Sequence, residues 1–434
     1  MAGEWEDLTL GDLGRVVTGK TPLTAVEGNF GGQIPFVTPS DMDGRKSIST
    51  TARFLTQAGA ASVKGSVIPA GAIMVSCIGS DMGKVVIAGR ECVTNQQINS
   101  IVVDDRFSSE FVYYSLSTRK NEIRHQAAGG SAVPILNKGD FSCLEITLPP
   151  LAEQKAIAAV LGSLDDKIEL NRRMNTTLEA MARALFQSWF VDFDPIRAKL
   201  DGRKPIGLDK ATAELFPEHL EDSPLGHIPK GWKIIGLPEA IDFLEGPGLR
   251  NWQYHDEGMK FLNIRCIMDG DLDIVKANSI SLEEFEKTYS HFALQEDDIV
   301  ISTSGTLGRL AIVRADHLPV MLNTSIIRMR GRGAVGLGYV WGFLQSEYFL
   351  AEMFALAAGS VQLNFGPMHL RQISILRPPD GILKGFERAV QPLLSKCLQL
   401  RKESRTLATL RDTLLPKLLS GEVSVAEVEK EVSA

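Results

Sequence analysis

A glycine-bracketed segment, GSDMGKV at residues 79–85, has the residue types of a phosphate-binding loop. Such a loop needs the spacing G-x-x-x-x-G-K-[ST], because its backbone N–H groups surround the phosphates, its lysine neutralises them and its hydroxyl holds Mg²⁺. Here only three residues separate Gly79 from Gly83, and Val85 stands where the hydroxyl is required. The related segment GTLGRL, at residues 305–310, has Arg309 in place of the lysine. These glycines therefore predict tight turns rather than a nucleotide site.

The sequence also lacks other common catalytic and targeting patterns. The seven histidines show no H-E-x-x-H spacing, no G-x-S-x-G motif occurs, and the five cysteines form no C-x-x-C pair. No apolar run approaches the ~20 residues that cross a bilayer, and the acidic start MAGEWEDLTLGDLG does not resemble a signal peptide. We therefore predict a cytoplasmic, non-catalytic protein with no membrane contact, no metal and no cofactor of its own. The net charge of −7 provides no overall basic footprint for nucleic acid, so any such function depends on local groups.

The elements that must position these turns occur twice in the chain. AIMVSCIGSDMGKVVIA (72–88) and DIVISTSGTLGRLAIV (298–313) both predict a strand, a glycine-bracketed turn and a second strand. QIPFVTPSDMDG (33–44) similarly parallels KFLNIRCIMDG (260–270), and the stops LPP (148–150) and RPP (377–379) each precede a long helical pattern. The chain is therefore predicted to contain two copies of one mixed strand-and-helix module. An old duplication whose symmetry has no functional use is the alternative.

Each module is followed by an amphipathic arm with apolar residues at alternating four- and three-residue steps, the spacing of a coiled-coil seam. The seam positions are Ile157, Leu161, Leu164, Ile168, Asn171, Asn175, Leu178, Ala182, Leu185 and Trp189 in the first arm, and Phe386, Val390, Leu393, Cys397, Leu400, Ser404, Leu407, Arg411, Leu414 and Leu418 in the second. Pro392 either starts or kinks the second helix. We predict that the arms pair with each other; the alternative is that each packs on its own module.

With these features in place, the chain resembles the specificity subunits of type I restriction–modification enzymes. The resemblance rests on residues 148–199 (LPPLAEQKAIAAVLGSLDDKIELNRRM and onward), on SPLGHIPKGW (223–232), on LRDTLLPKLLSGEV (410–423) and on the repeated layout. It implies an α+β fold in which two mixed α/β target recognition domains are separated by two long helices that form an antiparallel, pseudo-twofold coiled coil. The expected boundaries are 1–150 and 223–379 for the recognition domains, 151–193 and 380–434 for the arms, and 194–222 for a linker.

The resemblance also implies a host-defence function. Each domain would read one half of a bipartite, asymmetric site in double-stranded DNA, and the arms would set the gap and dock two methyltransferase subunits. These methylate adenine at N6 with S-adenosylmethionine, and a restriction/translocase subunit that uses ATP and Mg²⁺ joins them. LPPL, RPPD and DPIR lack the (Asn/Asp)-Pro-Pro-aromatic motif of such a methyltransferase. The alternatives are a DNA-binding adaptor with the same scaffold that serves another effector, and an enzyme with an unrecognised site.

Polar residues on the repeated turns are the candidate DNA contacts, because glycine-rich turns allow close approach and such side chains read base edges or bind phosphates. The candidates are Lys20, Thr21, Ser80, Lys84, Asn95, Gln96, Ser131, Asn137, Ser304, Thr306, Arg309, Asn323, Arg328, Arg330, Ser360, Gln362 and Asn364. The alternative for any one of them is that it only shapes a turn. Leu170, Met174, Phe186 and Phe190 are predicted to lie exposed on the first arm, where a partner subunit docks.

Overall fold

The computed structural model describes residues 5–127, 134–224, 226–268, 270–358 and 365–433. The chain divides into two compact units. Unit 1 comprises Met1–Leu170 and Glu403–Ala434, and unit 2 comprises Asn171–Lys402. Both boundaries fall inside long helices, so each unit contains one strand-and-helix module together with part of each long helix.

The module of unit 1 is built from short strands with few helices. Its strands are β1 (Glu6–Thr9), β2 (Gly14–Thr18), β3 (Phe30–Val37), β4 (Ser47–Ile48), β5 (Phe54–Leu55), β6 (Val67–Ile68), β7 (Ile73–Ser76), β8 (Val85–Ala88), β9 (Cys92–Thr94), β10 (Ile98–Val103) and β11 (Glu145–Leu148). Its helices are α1 (Gln57–Ser62), α2 (Ser109–Ser117), α3 (Lys120–Gln126) and α4 (Lys138–Ser142). The strands form sheets in the orders β2-β10-β7-β8-β4, β5-β3-β9-β6 and β1-β11.

The first long helix, α5, runs from Leu151 to Phe190 without interruption. It starts directly after Pro149 and Pro150, which fits the tolerance of helix starts for proline. Its first turns carry Ile157 and Leu161 into the core of unit 1, and its last turns carry Phe186 and Trp189 into the core of unit 2.

Unit 2 repeats the arrangement with additional strands. Its strands are β12 (Leu220–Ser223), β13 (Gly226–Pro229), β14 (Lys233–Gly236), β15 (Ile241–Glu245), β16 (Tyr254–His255), β17 (Met259–Phe261), β18 (Ile267–Met268), β19 (Asp271–Leu272), β20 (Asn278–Ile280), β21 (Ile299–Ser302), β22 (Leu310–Ile312), β23 (Val320–Met321), β24 (Ile326–Gly331) and β25 (Ser374–Arg377). Its shorter helices are α6 (Asp194–Leu200), α7 (Lys210–Leu215), α8 (Leu237–Ala240), α9 (Leu282–Glu284), α10 (Leu337–Leu344), α11 (Glu347–Ala357) and α12 (Pro367–Leu370).

The two modules share their strand connections. In unit 1 the antiparallel order β2-β10-β7-β8 corresponds to β15-β24-β21-β22 in unit 2. The parallel pair β3 and β9 corresponds to β17 and β23, and the pair β1 and β11 corresponds to β14 and β25. The internal repeat seen in the sequence is therefore a repeat of topology.

The second long helix, α13, runs from Asp380 to Leu419 and is continuous through Pro392. A last helix, α14 (Val425–Ser433), follows it. Val428 of α14 is buried in the core of unit 1 together with Leu415 and Leu418.

Within each unit the two long helices pair in opposite directions. In unit 1, Asp165 accepts a hydrogen bond from Arg411 at 2.5 Å, and Lys167 lies 3.3 Å from Glu403. In unit 2, the Sγ of Cys397 contacts the carbonyl of Asn175 at 4.0 Å, and Phe386 packs on Phe190 with ring centroids 4.7 Å apart. The fold class predicted from the sequence, a mixed α/β protein with two long paired helices, is confirmed.

The predicted exposure of the first arm is correct for two residues and wrong for two. Leu170 is 51% exposed and Met174 is 37% exposed, whereas Phe186 and Phe190 are each only 5% exposed. The two phenylalanines contact Phe386 and Tyr339, because the end of α5 packs on the module of unit 2 as well as on α13. Among the helices in the described part of the chain, none is long and apolar enough to span a membrane.

Candidate nucleic-acid interface

The predicted turns of each module meet at one end of the strands of its antiparallel sheet. In unit 1, Thr18 at the end of β2 pairs with Asn99 of β10, and Ser76 at the end of β7 pairs with Ile98. The loops next to these residues (19–21, 77–84 and 95–97, with 134–137) form cluster 1. In unit 2, Glu245 pairs with Ile327, and Ser302 pairs with Ile326. The corresponding loops (246–249, 303–309 and 323–325) form cluster 2.

A glycine allows two loops to touch in each cluster. A Cβ atom on Gly19 would lie 2.0 Å from the carbonyl oxygen of Asn95, and one on Gly246 would lie 2.4 Å from that of Asn323. Real Cβ atoms do not approach backbone this closely, so both positions need glycine. Side-chain and backbone bonds join the same loops: Thr21 donates from Oγ1 to Gln96 Oε1 at 2.7 Å, and the Thr324 N–H donates to the Pro247 carbonyl at 2.8 Å.

A serine that was not singled out from the sequence organises the strand-to-strand turn of both clusters. Ser76 donates from Oγ to the Asp81 carbonyl at 2.6 Å and accepts from the Lys84 N–H at 2.9 Å. Ser302 likewise donates to the Thr306 carbonyl at 2.5 Å and accepts from the Arg309 N–H at 2.9 Å. The signal was available, since both serines end the same apolar strand of the repeat, in IMVS and IVIS.

A further loop reaches each cluster. In unit 1 the Leu136 N–H donates to the Cys77 carbonyl at 2.9 Å, and the buried Asn99 donates from Nδ2 to the Leu136 carbonyl at 3.1 Å. In unit 2 the Phe365 N–H donates to the Thr303 carbonyl at 2.9 Å. Four predicted contacts on these loops lie outside the described residues: Ser131, Ser360, Gln362 and Asn364.

Several predicted residues present their side chains at the surface of cluster 1. Lys20, Ser80 and Gln96 are exposed, and Thr21 is half-buried. Arg124 reaches the same turn and donates from Nη2 to the Ser80 carbonyl at 3.0 Å. Lys84 is half-buried, lies 3.1 Å from Asp81 and donates to the Pro39 carbonyl at 3.1 Å. Cluster 1 therefore combines cations with neutral polar groups at its surface.

Cluster 2 has the same backbone with different side chains. Thr306 and Arg309 are exposed and Ser304 is half-buried. Arg309 donates from Nη1 to the Ile267 carbonyl at 3.4 Å, which ties its guanidinium to the β18–β19 hairpin. The two clusters thus offer one framework with two different sets of groups.

Three predicted amides serve the loops themselves. Asn95 is 8% exposed and donates from Nδ2 to Gln97 Oε1 at 2.9 Å. Asn323 is 5% exposed and donates from Nδ2 to Asn263 Oδ1 at 3.1 Å. Asn137 is exposed, but its Oδ1 accepts the Asp140 N–H at 3.0 Å and caps α4. The structure brings all three to the clusters and gives each an internal partner.

Two predicted cations of β24 have buried or half-buried carboxylate partners. Arg330 donates to the fully buried Asp298 through two bonds of 2.7 and 2.9 Å, and Arg328 pairs with Asp242. Such bidentate pairs fix a guanidinium in place. Arg330 also lies four residues along β24 from the cluster edge at Ile326, or about 13 Å at the rise of a strand. Arg328 and Arg330 therefore lie outside cluster 2, and a DNA contact of either residue stays a prediction.

Burial shifts the ionisation of two groups at the clusters. Burial raises the pKa of the Cys77 thiol, the buried first residue of the 77–84 loop, to about 11, so the thiol stays protonated near neutral pH. Burial also raises the pKa of Glu245, at the edge of cluster 2, above its usual value. Among the residues that the structure describes, no group of three or more His, Cys, Asp or Glu side chains is arranged to hold a metal ion.

Comparisons with known proteins agree with this architecture. The family model described as a type I restriction modification DNA specificity domain matches residues 2–180. The chain is 27% identical to the type I restriction enzyme MjaIX specificity subunit of Methanocaldococcus jannaschii, covering 98% of this chain and 95% of that protein. It is 24% identical to the HindI specificity subunit of Haemophilus influenzae, covering 97% of this chain and all of that protein.

The fold also matches a solved structure. The crystal structure of the S subunit of a type I restriction–modification system from M. genitalium superposes with a TM-score of 0.57 and 18% identity, covering 96% of both chains. The repeated modules, the two paired long helices and these full-length matches lead to one assignment. The chain is similar along nearly its whole length to specificity subunits of type I restriction–modification enzymes, and the family model, the relatives and the solved structure all support that assignment.

Proposed function

We propose that this chain reads a bipartite, asymmetric site in double-stranded DNA, with cluster 1 on one half and cluster 2 on the other. One observation carries the proposal: the same loop framework occurs twice, with Gly19 and Ser76 in one copy and Gly246 and Ser302 in the other. A shared loop framework places the side chains that contact bases in equivalent positions in the two clusters. Different side chains at those positions then select different bases. The two halves of the site should therefore differ in sequence.

The long helices are proposed to set the gap between the two halves. Each has 40 residues, or about 60 Å at the rise of an α-helix. One turn of B-DNA measures roughly 34 Å. The helix pair is thus of the length needed to separate two half-sites by about one to two turns.

The helix pair is also proposed to dock two methyltransferase subunits that use S-adenosylmethionine to methylate adenine at N6, with a restriction/translocase subunit joining for cleavage. Large apolar side chains stay exposed along α5, namely Leu170, Met174 and Met181, with Met181 49% exposed. Neighbouring exposed apolar residues mark protein-binding surfaces. The chain itself would carry out no chemistry, and ATP, Mg²⁺ and S-adenosylmethionine would bind to its partners.

Co-expression with the methyltransferase encoded beside it in the host genome tests this proposal. We expect the complex to methylate adenines at one split motif, read by sequencing methylated DNA, and the chain alone to methylate none. Sequence-specific binding without methylation in the complex would instead favour an adaptor for another effector. Adenine methylation by the isolated chain would contradict the non-catalytic assignment.

Replacing Lys20 with alanine should weaken binding alike for all DNA sequences. Lys20 is an exposed cation on cluster 1, and a phosphate contact contributes affinity through counterion release. The slope of log Kd against log salt should fall by about 1 in magnitude. Lys210→Ala is the matched control, since the Lys210 side chain is 92% exposed on α7, outside both clusters. Equal slopes for the two variants would remove Lys20 from the interface.

A further inference from the structure

A second repeated feature lies beside the two clusters and is not explained by base reading through polar groups. In unit 1 the loop 20–29 begins with the exposed Lys20 and carries Leu23, which is 74% exposed. In unit 2 the loop 250–253 begins with the exposed Arg250 and carries Trp252, which is 79% exposed. We call these segments wedge loop 1 and wedge loop 2. Each follows its cluster glycine, Gly19 or Gly246, within a few residues.

Both wedge loops are held by a buried amide side chain. In wedge loop 1, Asn29 is 5% exposed and donates from Nδ2 to the Leu23 carbonyl at 2.9 Å. In wedge loop 2, Gln253 is also 5% exposed, accepts the Arg250 N–H at 2.8 Å and donates to the Tyr289 hydroxyl at 3.2 Å and to Glu284. The apolar tips are therefore displayed by ordered turns rather than by loose loops.

The wedge loops are tied to the reading clusters. The Leu249 N–H, three residues before Trp252, donates to Asn323 Oδ1 at 3.5 Å. Lys20 and Thr21 belong to both wedge loop 1 and cluster 1, and Thr21 donates to Gln96 at 2.7 Å. Each wedge loop is therefore continuous in the chain with residues of its cluster.

Exposure of Trp252 is unusual for this chain. Trp189, Trp232 and Trp341 are between 3% and 6% exposed, and Trp5 is half-buried. Tryptophan is a large apolar side chain that usually gains free energy from burial, so a rigid turn that holds it in solvent beside a cation indicates a surface that binds a partner. The adjacent Arg250 favours an anionic one.

We propose that Trp252, with Arg250 on the neighbouring phosphate, presses against the base edges or a base step next to the half-site read by cluster 2, and that Leu23 and Lys20 do the same beside cluster 1. Apolar side chains that wedge against base steps are an established means of gripping DNA and of making binding sensitive to its deformability. The inference rests on the proposed function, and it adds contacts that depend on DNA shape at positions flanking the half-sites.

The test uses the complex of the full chain with its methyltransferase subunit and a duplex that carries the split motif found by methylation sequencing. Trp252→Ala should weaken binding about 10-fold, within the range of stacking contacts, without changing the salt dependence. Trp252→Phe should restore most of the loss. Ile206→Ala, at a position that is 93% exposed in the segment between the modules, should bind like the parent.

Trp252 also serves as its own reporter, because it is the most solvent-accessible of the five tryptophans. Quenching of fluorescence by acrylamide should fall when the specific duplex is added to the parent complex, and this change should be absent in Trp252→Ala. Binding by Trp252→Ala within twofold of the parent, or protection of Trp252 by the methyltransferase subunit before DNA is added, would overturn the inference while leaving the proposed function intact. A parent complex that binds no duplex specifically would contradict both.

Discussion

Adding one heptad to both long helices, between Leu170 and Asn171 and between Lys402 and Glu403, should widen the permitted gap between the half-sites by about three base pairs. Seven helical residues add about 10.5 Å, and B-DNA rises by roughly 3.4 Å per base pair. The insertion points are the boundaries of the two compact units, so the contacts inside each unit remain. Methylation of a library in which the gap varies in length measures the change.

The same heptad placed in α5 alone should reduce folded yield instead of shifting the gap. The helices pair in opposite directions in both units, through Asp165 and Arg411 in unit 1 and through Phe190 and Phe386 in unit 2. An insertion in α5 alone cannot keep the helix contacts of unit 1 and those of unit 2 in register at the same time, unless the extra helical turns bulge out. Exchanging one existing heptad for the inserted sequence controls for composition. An unchanged gap in the doubly extended, folded variant would rule out the helix pair as the spacer.

Sequence reasoning was most successful where a pattern extends over many residues. The fold class follows from two such patterns, the repeated order of strands and turns and the four-three spacing of the arms. The resemblance to a family rests in addition on the particular residues of 148–199, 223–232 and 410–423. In α13 the predicted seam residues Phe386, Val390, Cys397 and Leu400 are each at most 2% exposed. Period and length are properties of the chain itself, so they survive whatever packs around them.

The direction in which single side chains point was harder to predict. Asn95 and Asn323 occupy corresponding positions in the two modules and hold turns, as Asn323 does through its bond with Asn263. Recurrence of a residue type alone does not distinguish a side chain that contacts bases from one that stabilises a turn. Phe186 and Phe190 lie outside the predicted seam of α5, which suggests exposure, yet the module of unit 2 covers both side chains. Burial by distant segments depends on tertiary packing, which a local pattern does not contain.

The strongest expected effect on stability comes from Phe386, where α5, α13 and the module of unit 2 meet. Phe386 is fully buried, and its ring centroid lies 4.7 Å from that of Phe190, 5.4 Å from Trp189 and 6.1 Å from Phe186. Phe386→Ala should lower the free energy of unfolding of unit 2 by about 3–5 kcal/mol, because it removes buried area and leaves a cavity among large rigid rings. Urea unfolding followed by tryptophan fluorescence measures this, since Trp189 is in contact with the ring.

Two variants distinguish this packing effect from a general sensitivity of the protein to substitution. Phe386→Leu keeps most of the volume and should have the smaller effect, about 1–2 kcal/mol. Phe354→Ala removes the same side chain from α11, where it is 48% exposed, and should change the free energy by less than about 1 kcal/mol. Within the described part of the chain, the rings in contact with Phe386 all belong to unit 2. The unfolding of unit 1, followed by hydrogen exchange of β7 and β10, should therefore keep its midpoint. Equal losses for Phe386→Ala and Phe354→Ala would show that the aromatic cluster does not hold the helix pair to its module.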